Sequence, residues 1–153
     1  MHVDIQRARP DQAESLTKIA FAAKRHWGYP ERWIQIWSEI LTVSTEFIEK
    51  HETYIAQVEE KPVGFYALSI VENKASLDHM WVLPEYMGQG IGSKLFDHAL
   101  SRCRALGVRV LEIESDPNAQ GFYKHMGARQ VGQSASELDG QPRLLPIFEI
   151  NST

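Results

Sequence analysis

The sequence predicts a mixed α/β (α+β) fold, in which helices flank a mostly antiparallel sheet. Three apolar segments joined by tight turns, at 52–59, 62–71 and 75–82, are typical of an antiparallel meander. An amphipathic helix over 91–105 joins the last segment to a strand at 108–114, so these two strands should be parallel. With 153 residues, 43% of them hydrophobic, the chain can build the core of one domain over 1–153.

The remaining elements follow from local patterns. Residues 3–8 alternate as a strand, and Pro10-Asp11 opens a helix that extends to about residue 24. A second helix is predicted over 30–41, because Pro suits a first helical turn. A third continues to residue 50, with Ser44 or Thr45 as its N-cap. A short helix at 118–126, a strand at 128–133, a polar and mobile loop at 134–142 and a strand at 144–150 complete the chain.

A glycine-rich loop lies between strand 75–82 and the helix that follows it. It reads Met87-Gly88-Gln89-Gly90-Ile91-Gly92-Ser93. Glycines let a backbone approach a ligand closely, and the free N–H groups of a helix N-terminus favour an anion. The loop therefore predicts a phosphate cradle, the alternative being a flexible connection that binds nothing. It lacks the Lys-Ser/Thr ending of a nucleotide-triphosphate loop, and its glycines are closer together than in a dinucleotide-binding loop.

A second motif lies about thirty residues further on. A strand ends in the turn Asp116-Pro117-Asn118, and a short helix containing Phe122-Tyr123 stops at Gly127. Over roughly residues 62–132, the two motifs together resemble the GCN5-related N-acetyltransferase (GNAT) superfamily. The resemblance implies the GNAT fold and acetyl-coenzyme A as co-substrate, its pyrophosphate bound by the glycine loop. At the position of Met87 the family usually has Arg or Gln, so side-chain help with the phosphate is in doubt there.

The resemblance also implies which residues contact the cofactor. The glycine loop offers main-chain N–H groups, and the strand before it offers an exposed edge to the pantetheine amides. Asn118 is expected to hydrogen-bond the pantetheine arm, to form a turn or helix cap, or to do both. The predicted cofactor-binding residues are Met80, Trp81, Val82, Gly88, Gln89, Gly90, Ile91, Gly92, Ser93, Asn118 and Phe122.

Acetyl transfer by direct attack needs a neutral amine and a proton for the departing thiolate. Tyr123 matches the tyrosine that supplies this proton in many family members, and a phenol has a pKa close to that of a thiol. The alternative is that Tyr123 only packs. The general base stays open among Asp78, His79, Glu112 and a chain of waters. Strand alternation places Asp78 on one face with Met80 and Val82, and His79 on the other with Leu77 and Trp81.

The acceptor amine is the least defined part of the prediction. Aromatic residues cluster near the second helix and suggest a pocket that holds an apolar amine, or a cation over a ring. Trp33 and Trp37, on one helix face, could instead cover the sheet, which for Trp37 is an equal alternative, whereas packing explains Trp27 and Tyr29 less well because they lie in a loop. Arg143 could pair with an acceptor carboxylate or with a surface acid. The predicted acceptor-site residues are Trp27, Tyr29, Trp33 and Arg143.

Composition restricts the possible partners, location and metal content of the protein. Lys and Arg total 16 against 20 Asp and Glu, a net charge of −4, which argues against nucleic acid as the partner. No segment reads as a signal peptide or membrane span, and Cys103 is the only cysteine, so we expect a cytoplasmic protein. The histidines lack metal-ligand spacing, so we expect no metal. Strand edges leave a homodimer possible.

The predicted activity is acetyl-coenzyme A-dependent N-acetylation of a primary amine on a small molecule or protein. The competing hypotheses are a non-catalytic acyl-coenzyme A-binding sensor or interaction module, and an enzyme that prefers a longer acyl chain.

Overall fold

The computed structural model describes all 153 residues and contains one seven-stranded sheet in the order β1-β2-β3-β4-β5-β7-β6. Every neighbouring pair is antiparallel except β4 and β5, which are parallel. This confirms the predicted fold class. The strands are β1 (Asp4–Arg7), β2 (Glu52–Val58), β3 (Lys61–Val71), β4 (Lys74–Val82), β5 (Val110–Glu114), β6 (Arg129–Leu138) and β7 (Gln141–Asn151). The helices are α1 (Ala13–His26), α2 (Glu31–Ile36), α3 (Ser38–Leu41), α4 (Thr45–Lys50), α5 (Ile91–Ala105) and α6 (Gln120–His125).

Helices cover both faces of the sheet, and each face has its own apolar core. On one face, α5 and α6 pack side chains such as Phe96 and Leu95 onto Tyr66 of β3. On the other face, α1 to α4 pack Leu16 and Ile34 onto neighbouring strand residues. Burial of these stripes on amphipathic helices supplies most of the stabilisation of such a layered fold. None of the helices is long and apolar enough to span a membrane.

Local signals fix several boundaries. The Ser44 hydroxyl accepts a hydrogen bond from the Phe47 N–H at 3.0 Å, which confirms the predicted N-cap. The helix predicted over 30–41 is interrupted at Trp37, where the chain makes a turn between α2 and α3.

The predicted mobile loop at 134–142 is wrong. β6 continues to Leu138 and β7 starts at Gln141, so only Asp139 and Gly140 form the turn. Both have positive φ, 53° and 76°, as a two-residue hairpin turn requires. The polar composition of the segment reflects an edge strand that is exposed along most of its length, not a lack of structure.

A β-bulge at Asp78 alters the faces of β4. Ala67 of β3 pairs with His79, and the next residue, Leu68, pairs with Leu77, which leaves Asp78 without a partner. Leu77 therefore packs in the same core as Met80. The predicted strict alternation was wrong here, because one extra residue shifts the pleat and places Asp78 beside Ser69, whose hydroxyl donates to its carboxylate.

Candidate active site

The site lies where β4 and β5 part. The two strands pair only from Lys74 to Ser76 on β4, and beyond that point β4 has no partner on this side. The Leu83 N–H donates to the Val63 carbonyl at 2.8 Å, so the main-chain groups of Leu83 and of every second residue before it in β4 face β3. Because antiparallel ladders alternate, the main-chain groups of Met80 and Val82 point into the gap. The gap thus offers free donors and acceptors to an extended, amide-bearing ligand.

The glycine loop borders one end of this gap. Gly88 and Gly90 have φ values of 76° and 83°, which side-chain-bearing residues rarely adopt. Gly90 is the N-cap of α5, and neither a side-chain cap nor an acidic residue occupies the first turn of that helix. The N–H groups at the start of α5 therefore remain available for an anion. A Cβ at Gly92, in the first turn of α5, would lie 3.4 Å from the Phe122 ring, an ordinary van der Waals contact, so the start of α5 packs directly on α6.

A cavity of about 300 Å³ connects the loop with the open edge of β4. It brings together most of the predicted cofactor-binding residues. Those that line it are Met80, Val82, Gly88, Gly90, Gly92, Ser93, Asn118 and Phe122. Met87 lines it as well, so the side chain at this position of the loop is flexible and apolar.

Three predicted cofactor residues lie outside this cavity. Ile91 is 1% exposed and belongs to the core under α5. The Gln89 side chain donates to the Glu85 carbonyl at 3.4 Å, within the loop itself. The Trp81 ring packs on the opposite face of the sheet. Only main-chain groups of these residues are placed to help a ligand.

Tyr123 lies at the inner end of the cavity. Its residue is 6% exposed, and its ring packs against Phe96, Phe122 and Phe148. The hydroxyl has no hydrogen-bond partner in the protein. Every fully buried side-chain N or O atom of this protein has such a partner, so the Tyr123 oxygen must be partly exposed, and it is exposed to the cavity. Burial raises the pKa of the phenol well above its ordinary value, so it stays protonated over the whole neutral range but is a weaker acid than the predicted match to a thiol pKa assumed.

A small cavity of about 150 Å³ lies between the first cavity and a larger one of about 520 Å³ on the other face. It shares Tyr123 and Met80 with the first, and Asp78, His79 and Glu114 with the larger one. The three cavities therefore lie in series across the sheet, between the parted strands, and this series is called the passage below.

A buried ionic network supports the wall of the larger cavity. Lys24 Nζ lies 2.6 Å from a carboxylate oxygen of Asp116, and both side chains are about nine-tenths buried. The Tyr29 hydroxyl donates to the same carboxylate at 3.0 Å and accepts from Arg143 Nη2 at 3.0 Å. Burial, the largest single effect, would raise the pKa of Asp116, but the hydrogen bond and charge of Lys24 and the hydrogen bonds from Asn118 N–H and the Tyr29 hydroxyl together outweigh it, so the pKa lies below its ordinary value. Asn118 Nδ2 also donates to the Tyr29 hydroxyl, at 2.9 Å.

Two of the four predicted acceptor residues, Tyr29 and Arg143, are bonded within this network. Lys24 Nζ lies 4.1 Å from the Trp37 ring centroid, so the protein's own ammonium occupies that aromatic face. Trp33 Nε1 donates to Asp139 at 3.1 Å and so binds the turn of the β6–β7 hairpin to α2. Trp27 lies on the other side of the gap and lines the 300 Å³ cavity. Of the predicted acceptor residues, only Arg143 lines the 520 Å³ cavity.

The candidates for a general base occupy different places. Asp78 lines both the small and the larger cavity, and burial raises the pKa of its carboxyl. Glu112 lines neither and forms an ion pair with Lys74 at 3.1 Å, on the exposed part of the sheet. His79 lines both cavities, but burial lowers its pKa to about 4.

Sequence reasoning missed two carboxylates, Glu114 and Asp116. Glu114 ends β5 and lines both the small and the larger cavity, whereas Glu112 two residues earlier does not. The signal was available, because ligands gather at the carboxyl ends of parallel strands. Asp116 takes the capping role considered for Asn118: its side chain accepts from the Asn118 N–H at 2.8 Å.

A model of the acetyltransferase (GNAT) family matches residues 13–128, about three quarters of the chain. The chain belongs to the GNAT acetyltransferase family. Family membership makes it an N-acetyltransferase by class, and the matched segment contains both the glycine loop and Tyr123.

Curated relatives place this GNAT protein near enzymes that act on protein amines. It is 28% identical over 145 residues to a peptidyl-lysine N-acetyltransferase, YjaB, of Salmonella typhimurium, covering 93% of this chain and 94% of that protein. It is 35% identical over 72 residues to a putative ribosomal protein bS18-alanine N-acetyltransferase of Bacillus subtilis, covering 45% and 48% of the two chains.

Solved structures share the whole fold. A GCN5-related N-acetyltransferase from Rhodopseudomonas palustris superposes with a TM-score of 0.81 at 19% identity, covering 99% of this chain and 96% of that one. The PaiA N-acetyltransferase of Thermoplasma acidophilum, solved in complex with coenzyme A, gives 0.77 at 23% identity, covering 99% of both chains. These likenesses support the fold of this GNAT protein.

Proposed function

We propose that the protein transfers an acetyl group from acetyl-coenzyme A to a primary amine by direct attack. The observation that carries this proposal is the unpaired Tyr123 hydroxyl, which opens into a passage joining the glycine-loop cavity to a second cavity across the sheet. Such a passage lets a thioester and an amine approach the same point from opposite faces.

The co-substrate would lie along the first cavity. Main-chain N–H groups from Gly88 to Ser93 suit the diphosphate, since the start of α5 is uncapped and has no acidic residue in its first turn. The open edge at Met80 and Val82 suits the amides of the pantetheine arm. Phe122 and Met87 supply apolar walls, and the thioester would then reach the small cavity beside Tyr123.

The reaction needs two proton transfers. The amine nitrogen attacks the thioester carbonyl carbon, and the carbon–sulfur bond breaks as the amide forms. We assign the proton lost from nitrogen to Asp78, directly or through water, because its carboxylate lines the passage and its raised pKa makes it a better base. The Tyr123 hydroxyl gives its proton to the departing sulfur. We do not assign this role to Glu112, because it lines neither cavity.

The larger cavity suits a positively charged amine before it is deprotonated. Carboxylates of Asp78, Glu39 and Glu114 line it, whereas its two cations, Lys24 and Arg143, are engaged by Asp116 and Tyr29. An amine on a small molecule or a peptide would fit this charge pattern. The relatives that act on lysine and alanine amines of proteins support a peptide as one candidate class.

Two measurements test the proposal. Isothermal titration with acetyl-coenzyme A should show binding, and an assay of thiol release over a panel of primary amines should show turnover that depends on the amine. Binding without turnover on any amine would favour a sensor of acyl-coenzyme A. Competition among acyl-coenzyme A species of different chain length would reveal a preference for a longer acyl group.

A further inference from the structure

His79 has a fixed tautomer, set by its neighbour on the same strand. Trp81 Nε1 lies 2.9 Å from His79 Nδ1. An indole N–H can only donate, so Nδ1 must carry a lone pair, and the proton of the neutral imidazole must be on Nε2. The only basic nitrogen of the ring is therefore already occupied by a hydrogen bond. His79 cannot act as a general base in this arrangement.

The Nε2–H group of His79 has no partner in the protein. The residue is 7% exposed, and the exposed part lines the 520 Å³ and 150 Å³ cavities. Every fully buried side-chain N or O atom of the protein has a hydrogen-bond partner, so the unpaired Nε2 must be exposed to one of these cavities. A donor that is almost wholly buried and unpaired costs stability unless a ligand or water accepts from it. Its position on the far side of the sheet from the glycine loop directs it at the amine acceptor.

The surroundings restrict what can accept this hydrogen bond. Phe47 and Phe65 pack against the ring at centroid distances of 5.5 and 5.4 Å, His51 is the titratable group whose charge lowers the His79 pKa, and Asp78 is the adjacent residue of β4. Four carboxylates and only two cations line the 520 Å³ cavity, so a carboxylate on the acceptor would be repelled. A neutral oxygen, such as an amide carbonyl or a hydroxyl, would not.

We propose that His79 is a specificity-determining residue that donates, through Nε2–H, to a neutral oxygen close to the reactive amine of the acceptor. The acceptor class is thus a primary amine next to an amide or hydroxyl, as in a peptide, and not a simple alkylamine. This inference rests on the proposed function for the place of the acceptor.

The direct test is nitrogen NMR of the His79 ring in the protein saturated with coenzyme A, where no transfer can occur. Two-bond nitrogen–proton spectra should show the Nε2–H tautomer from pH 5.5 to 8 without titration. Glycinamide should shift the Nε2 resonance, and isobutylamine, which has the same heavy-atom branching but two methyl groups in place of the amide oxygen and nitrogen, should not. An Nδ1–H tautomer, no shift with glycinamide, or equal shifts with both amines would overturn the inference.

Kinetics give the second test. The kcat/KM ratio of glycinamide to isobutylamine should fall about tenfold in His79→Leu, mainly through KM, because one hydrogen bond to the acceptor is lost. His79→Gln, which keeps a donor, should recover part of the ratio. An unchanged ratio in His79→Leu, with acetyl-coenzyme A affinity retained, would overturn the inference and leave the acetyltransferase proposal standing. If no amine is acetylated by the wild type, the proposed function itself fails.

Discussion

Replacing Tyr123 by Phe removes one oxygen atom and leaves the packing of the ring intact. The ring contacts Phe96, Phe122 and Phe148, all of which the variant keeps. The hydroxyl makes no hydrogen bond within the protein, so the usual loss of about 1 kcal/mol per hydrogen bond does not apply. We expect the free energy of unfolding to change by less than about 0.5 kcal/mol. Affinity for acetyl-coenzyme A should change little, since the diphosphate site is elsewhere.

Turnover should respond differently from binding and stability. A positioned general acid contributes about 10²–10⁴-fold, so kcat of Tyr123→Phe should fall at least about 100-fold, or about 2.7 kcal/mol in the activation free energy. The raised pKa of the phenol also predicts that wild-type kcat does not decline between pH 7 and 9 through loss of this proton. Steady-state kinetics, thermal unfolding and titration calorimetry measure the three quantities. A fall in kcat below threefold, or parallel losses of kcat, affinity and stability, would refute the assignment.

Three further variants test the glycine loop, the ion pair of Lys24 with Asp116 and the hydrogen bond that fixes the His79 tautomer. Gly90→Arg should abolish acetyl-coenzyme A binding in calorimetry, whereas Gly107→Arg, at an equally open position with φ of 72° beyond α5, should not; equal losses would show that backbone strain is responsible. Asp116→Ala leaves its ammonium partner buried and should lower the free energy of unfolding by about 3 kcal/mol, against less than about 0.5 kcal/mol for Glu46→Ala in an exposed pair. Because the pKa of Asp116 is depressed, its contribution is present above the unfolded pKa of about 3.9 and is lost as the pH falls, which urea unfolding at several pH values would detect. Trp81→Phe removes the hydrogen-bond donor to His79 and admits water, so the His79 pKa of about 4 should rise in an NMR titration. An unchanged pKa would contradict the inferred hydrogen bond from Trp81 to Nδ1.

Much of the fold was readable from the sequence because its signals are local. The helix predicted over 91–105 is α5 residue for residue, since an apolar stripe and the preceding glycines define both its face and its start. The parallel pairing of β4 and β5 followed from the helix between them. The hairpin at Asp139-Gly140 was missed although that dipeptide is a strong turn signal, because exposed edge strands lack the apolar alternation that marks buried ones.

The candidate site likewise has one part that local sequence motifs predict and another part that they do not. Glycine-loop residues and Tyr123 follow from contiguous motifs, and the structure brings them around one cavity. The acceptor side depends on residues far apart in the chain, such as Lys24 and Asp116, which are 92 positions apart and meet only in the fold. No pattern in the sequence indicates that the Trp37 face would be covered by Lys24 and thus closed to a ligand.

The bulge at Asp78 shows why one irregular residue decides the chemistry of this site. In a regular strand, Asp78 and His79 would point to opposite faces, and only one could reach the acceptor cavity. The extra residue instead lets both line it, so that a carboxylate and a fixed N–H donor stand side by side at the point where β4 leaves β5. Met80, the next residue, still lines the cofactor cavity on the other side. Three consecutive residues therefore serve both faces of the passage, and the bulge, not residue identity alone, allows a base and a recognition group to share one strand.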